Sequence, residues 1–185
     1  MRPVWKGCAL VLATIVCWSG VGRAGDPGPR SARSGLDLAR EAALAWAADA
    51  HFAYLENDDA LGPDGNAARW GYLFYSPSRD AARGYSIEND KIVQATDLGV
   101  RFDAPPIGEG WIDSQSALTA AQAELKGKLA AYVGPPSTML LMRGAFDEKS
   151  PDRTCWLVCF RADGLPALFL VVDATSGDVV RNWRG

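Results

Sequence analysis

The segment Thr154–Arg181, TCWLVCFRADGLPALFLVVDATSGDVVR, constrains the fold of this chain more than any other. Cys155 to Phe160 is an apolar run of β-prone residues, and Ala167 to Val172 is a second, rich in branched and aromatic side chains. Asp163-Gly164 between them is a turn signal, and Asp173 to Asp178 turns the chain again into a short third run, Val179 to Trp183. The spacing predicts a three-stranded meander. It predicts architecture and carries no catalytic constellation.

The first residues set the compartment. Arg2 and Lys6 give a basic start, Cys8 to Val16 an apolar core too short to span a bilayer, and Gly22-Arg23-Ala24 small residues where a signal peptidase cuts. Residues 1–24 therefore read as a signal peptide cleaved after Ala24, which predicts an exported protein, periplasmic or secreted. Stretched through Val21, the same run would instead make a retained anchor. Val16 before Cys17 is too large for the usual lipoprotein signal.

Loss of that leader leaves 161 residues with 16 Lys plus Arg (19 less Arg2, Lys6 and Arg23) against 22 Asp plus Glu, a net charge of −6 with the single His neutral. No basic run occurs, which argues against nucleic acid or an anionic membrane surface as partner. A chain of this length buries roughly 70% of its unfolded surface, enough for one good core or two small coupled ones. Of four cysteines only Cys155 and Cys159 stay in the mature chain. Four residues apart on a straight strand they share a face at a separation of about 13 Å, too far for a disulfide, which needs Cα atoms within roughly 7 Å. They read as two buried thiols. An intermolecular bridge or a metal site is the alternative, the metal being disfavoured because the one histidine is far away in sequence.

Taken in order, residues 25–33 (Pro/Gly/Ser/Arg-rich) read as a flexible linker. A helix follows, capped by Ser34, with Leu36, Ala39, Ala43, Trp46, Ala47 and Ala50 near helical spacing. His51 to Glu56 alternates with strand period, 57–66 is a polar turn, and in 68–76 Trp70, Tyr72 and Phe74 share one face, most simply as core against the helix. Runs 83–88 and 91–96 form a hairpin across Asn89-Asp90. The stretch 98–111, with Pro105-Pro106, reads as a boundary. Asp113 then caps a second helix with an apolar stripe of Leu118, Ala121, Leu125, Leu129 and Tyr132, ended by Gly134-Pro135-Pro136, and 138–146 is the strand before the meander. The order helix, strand, strand, hairpin thus occurs twice, which predicts an α+β protein of two tandem units, 34–97 and 112–185, each with one helix packed on an antiparallel sheet of three to four strands.

The turn Asp173-Ala174-Thr175-Ser176-Gly177-Asp178-Val179 after an apolar strand, with a helix opening Ile112-Asp113-Ser114-Gln115-Ser116-Ala117 in the same unit, resembles the PepSY domain. Ser176 stands where that family favours Thr, and Asp178 where it favours Glu. The resemblance covers residues 112–183; the first unit shares only the element order, though Trp70 to Pro77 is similar to a motif of tandem copies in secreted bacterial proteins. It implies an exported module without catalysis that modulates peptidases or senses at the cell surface. Asp173, Ala174, Thr175, Gly177 and Asp178 are the family-motif residues, and backbone geometry explains most of them: Asp caps a turn and Gly supplies positive φ.

Candidate chemistry is sparse. His51, the only histidine, follows Asp49 at a helix-to-strand junction, where a structural imidazole is the simpler reading. No nucleophile elbow, phosphate loop or His-rich metal spacing occurs, so no catalytic residue, cofactor or metal site is expected. Asp58, Asp59, Asp64 and Asn66 offer hard oxygens for calcium, but their spacing does not match an EF-hand, and a solvated turn is favoured. The expected function is non-enzymatic binding of a protein or peptide, an open sheet edge being one means. The alternatives are a small-ligand binder or enzyme with a cavity between sheet and helix, and a thiol-linked dimer.

Overall fold

Alternating side chains make each strand two-faced, and what covers each face decides the architecture. The computed structural model describes residues 28–99, 101, 105–126, 130–132, 134–146, 150 and 152–185. Its elements run α1 (Leu36–Trp46), β1 (His51–Asn57), β2 (Arg69–Ser76), β3 (Ala81–Glu88), β4 (Lys91–Asp97), α2 (Ser114–Glu124), β5 (Thr138–Arg143), β6 (Thr154–Phe160), β7 (Leu168–Asp173) and β8 (Val179–Arg184). The signal peptide read at 1–24 and Leu129 of the second helical stripe lie outside the described residues.

The expected pair of separate helix-on-sheet units is corrected by the topology. All eight strands form one antiparallel sheet in the order β4-β3-β2-β1-β5-β6-β7-β8. The joint is β1 with β5: Tyr54, Leu55 and Glu56 pair with Met142, Leu141 and Leu140. Asn57 continues the seam by side chain, its Oδ1 accepting the Met139 amide at 2.7 Å. A lone four-stranded meander would leave the outer edge of β1 unpaired, and β5 has the same need, so each strand satisfies the other's backbone.

Two residues of the stretch 98–111, read as a boundary, enter the shared core. The Ile107 amide donates to Phe52 O at 2.8 Å, and Trp111, 4% exposed, packs 5.9 Å from Trp156 and 6.4 Å from Phe52. Residues 30–33, expected within a flexible linker, are packed as well: Arg30 bridges to Ala67, Ala32 is fully buried, and the Arg33 guanidinium lies 3.8 Å over the Trp111 ring. One apolar cluster therefore joins both halves of the chain.

Both helices lie on the same side of this sheet. Helix α1 buries Leu36, Ala39 and Ala43, small residues that allow close approach to β1, β2 and β3. Gly35 occupies its N-cap position in place of the expected Ser34, whose hydroxyl donates to Ser31 O at 2.8 Å. Helix α2 is capped by Asp113, which accepts the Ser114 amide at 2.8 Å and the Arg33 amide at 3.1 Å. Each helix entry is pinned to the sheet by a tryptophan. Trp70 Nε1 donates to Arg30 O, and Trp156 Nε1 donates to Ile112 O, both at 2.8 Å. The two rings meet edge to face at 6.4 Å beside the β1–β5 seam. Tyr72 repeats the logic, its hydroxyl donating to Ala32 O at 2.8 Å and accepting the Gly35 amide at 3.2 Å.

Replacement of Trp156 by Phe keeps the ring but strands the Ile112 carbonyl, and is expected to cost about 1–3 kcal/mol. Trp156→Ala should cost about 3–5 kcal/mol through the cavity it leaves. Phe169→Ala, a partly exposed position on the opposite face, should cost less than Trp156→Ala. Urea unfolding followed by circular dichroism measures all three. Equal losses at Phe169 and Trp156 would contradict a main core on the helix side.

Candidate functional site

The layer between sheet and helices is filled by Trp70, Tyr72, Phe74, Leu141, Trp156 and Leu170, all at most 2% exposed. The expected position for a ligand cavity, between sheet and helix, is thus taken up by core. The opposite face carries no helix.

On that face a hollow of about 370 Å³ opens over β1 to β4. The pairing register builds it. Gly71 of β2 lies between Glu56 of β1 and Ser86 of β3, which in turn faces Gln94 of β4. One row along, Leu73 lies between Tyr54 and Gly84, and Gly84 faces Thr96. A bulge between Phe52 and Tyr54 brings Tyr54 and Glu56 onto this face while Phe52 and Leu55 stay in the core. Glycine in a strand interior removes a side chain from the sheet surface. Here two of them make the floor.

The walls are polar. Tyr54 donates its hydroxyl to Glu56 Oε2 at 2.6 Å, and the Ser86 hydroxyl donates to Asp58 Oδ2. Asp58 lies flat on Gly71: a Cβ there would stand 2.7 Å from Asp58 Oδ1. At Gly84 an added Cβ would meet nothing nearer than Leu73 Cδ1 at 4.0 Å. Burial, then the hydrogen bond to Glu56 and the negative charges of Glu56 and Asp58, push the Tyr54 hydroxyl above its usual range, so it stays protonated and donating at neutral pH. Among the described residues no Lys or Arg forms an ion pair with Glu56 or Asp58. Leu73 and Leu98 supply the apolar part of the lining.

Of the residues singled out from sequence for chemistry, Asp58 lines the hollow and the others fall elsewhere. The His51 ring packs edge-on against Tyr75 with centroids 5.6 Å apart, in an open depression shared with Pro77, Asp80, Arg101, Pro105 and Pro106. The Tyr75 hydroxyl there donates to Asp80 at 2.6 Å. The four candidate calcium ligands do not converge: Asp58 holds Ser86, Asp59 accepts the Ala60 amide, and Asp64 accepts both amide groups of Asn66. No group of three or more His, Cys, Asp or Glu able to hold a metal is present among the described residues. Cys155 and Cys159 are buried thiols on the helix-free face, opposite Met142 and Asp173, and Thr138 and Phe169.

The motif Asp173, Ala174, Thr175, Gly177 and Asp178 shapes the β7–β8 turn. Asp173 Oδ1 accepts the amides of Thr175 and Ser176 at 2.8 and 3.2 Å, and Gly177 takes φ +81°. Ala174, fully buried, donates its amide to Thr154 O and accepts the Ile112 amide, which ties the turn to the entry of α2. Tyr54, Glu56, Gly71, Gly84 and Ser86 were not singled out from sequence, and Asp58 entered only as a calcium candidate in a polar turn. Two signals were present: the alternate residues Tyr54 and Glu56 with Asp58 just past the strand, and lone glycines inside the β2 and β3 runs.

No protein-family model matches the chain, and no curated protein matches it. The PepSY resemblance thus rests on the residues quoted for 112–183. Among solved structures, the fold is similar to that of a candidate lipoprotein from Clostridium difficile 630, with TM-score 0.57, 13% identity, 82% of this chain and 93% of that chain covered. At that identity the likeness concerns the fold alone.

Beside this face, at the α1–β1 junction, Asp49 accepts from the Ser76 hydroxyl at 2.6 Å and from the Ser78 amide and hydroxyl at 2.7 and 2.9 Å. These bonds, Ser76's foremost, lower its carboxyl from 3.8 to about 2. A carboxyl depressed on folding contributes stability above its unfolded value, and that contribution is lost as pH falls through the folded value. Stability should therefore decline from about pH 4 toward pH 2 partly through Asp49. In Asp49→Asn that decline should be shallower, as measured by denaturant midpoints at pH 2, 3, 4 and 6; an unchanged profile would remove Asp49 from the account.

Proposed function

We propose that this chain is an exported, non-enzymatic binding protein that holds a peptide or protein partner on the helix-free face of its sheet. The observation that carries this reading is the hollow over β1 to β4, whose floor is two glycines and whose walls are hydrogen-bonded polar side chains. A sheet face left without helices, with a recess of the size at which small groups are held, is suited to receive an extended chain. Export is supported by the basic, apolar and small-residue pattern of residues 1–24, and is in keeping with the lipoprotein description of the structural neighbour. The PepSY resemblance of residues 112–183 adds peptidase modulation or surface sensing as the setting.

The test is capture from the exported fraction under mild cross-linking, with wild type and Gly84→Val compared side by side. Valine suits a strand, and the Gly84 position has room for a Cβ, so the variant should keep or slightly raise the melting temperature while filling the recess. A partner enriched by wild type and lost with Gly84→Val is the expected result. A partner retained equally by both, or none recovered by either, would count against this face.

A further inference from the structure

We propose that the hollow selects a cationic side chain, arginine foremost, presented by an extended peptide. This rests on the binding role just given to the face and adds the chemistry of what is bound. Glu56 of β1 and Asp58, just past the end of that strand, both border Gly71: Glu56 is its register partner, and the Asp58 carboxylate lies over its backbone. Each carboxylate has one oxygen held by a neutral hydroxyl, Tyr54 for Glu56 and Ser86 for Asp58, which orients the group without neutralising it. Oε1 of Glu56 and Oδ1 of Asp58 accept no hydrogen bond from any described residue. Two oriented acceptors of like charge at one recess match a planar guanidinium, which donates through a fixed fork of N–H groups.

The rest of the lining suits the remainder of such a side chain. Leu73 and Leu98 offer apolar surface to the methylene stem, and Tyr54 a ring beside the carboxylates. Gln94 and Thr96, exposed on β4, carry amide and hydroxyl groups toward the outer rim, where a peptide backbone would lie. Arg69, the nearest basic residue in the register, spends its Nη2 on the Asp58 backbone carbonyl at 3.1 Å and leaves the carboxylate to Ser86. A free small cation would use the same two acceptors but would gain nothing from the rim. A peptide gains from both.

Binding to the purified full chain is measured by calorimetry with four probes: an end-capped Ala-Ala-Arg-Ala-Ala peptide, the same peptide with citrulline or with glutamate at the centre, and agmatine. The arginine peptide should bind at least about tenfold more tightly than each of the others. The preference should shrink as salt rises from about 0.05 to about 0.5 M, and Glu56→Gln/Asp58→Asn should bring arginine down to the citrulline level with an unchanged melting temperature. Gly84→Val should weaken all peptides alike. If arginine and citrulline peptides bind equally and Gly84→Val still blocks both, the face binds peptides but the charge selection is wrong. Agmatine binding as tightly as the arginine peptide would overturn the peptide as the source of the cation. No binding of any probe would overturn the selection and the hollow together.

Discussion

Everything in this structure depends on the pairing of β1 with β5. Three backbone pairs and the Asn57 side chain close a seam that lies at the middle of the sheet, with four strands to either side. The seam is held from the helix side by Trp70 and Trp156, which touch across it and donate to the carbonyls that precede the two helices. Burying an indole without a partner for its N–H is costly, and so is an orphan carbonyl at a helix entry. One bond answers both needs on each side, and Trp111 packs against Trp156 and Phe52.

Both described helices lie on one side, and the other face of the sheet carries neither. Its two halves differ. Over β1 to β4 it is recessed, Gly84 withholding a side chain while Tyr54, Glu56 and Ser86 lend polar groups to a lining that is mainly apolar. Over β5 to β8 it is apolar and raised, with Phe169 stacked on Trp183 at 5.2 Å and Arg181 5.1 Å above that indole. The polar side chains of the recess are oriented by hydrogen bonds to one another, Tyr54 to Glu56 and Ser86 to Asp58.

Most polar residues outside this recess serve the backbone. Asp173 organises a turn, Asn89 and Asp90 take the left-handed conformation of the β3–β4 hairpin, and Asp113 closes the start of α2. Asp49 holds the end of β2. His51 packs against Tyr75, away from the hollow. Chemistry-bearing residue types are few in this chain, and their placement shows why rarity alone is a poor guide to a site. Of the two carboxylates at the recess, Glu56 is an ordinary strand residue in the sequence and Asp58 one of the calcium candidates of a polar turn.

Strands, turns and the Asp113 cap were legible in the residues because each depends on neighbours a few positions apart; the Ser34 cap was not, Gly35 taking that position. The β6 to β8 meander, the Asn89-Asp90 hairpin, the Asp113 cap and the core role of Trp70, Tyr72 and Phe74 all follow from local spacing. The union of the strands into one sheet did not, because pairing of Leu55 with Leu141 joins residues far apart whose alternation is equally compatible with an edge. With that long-range pairing, Ile107 and Trp111 join the core and both described helices lie on one side. Only the register across four strands places Glu56 beside Gly71 and Gly71 beside Ser86, so the hollow exists in three dimensions and nowhere in the linear chain.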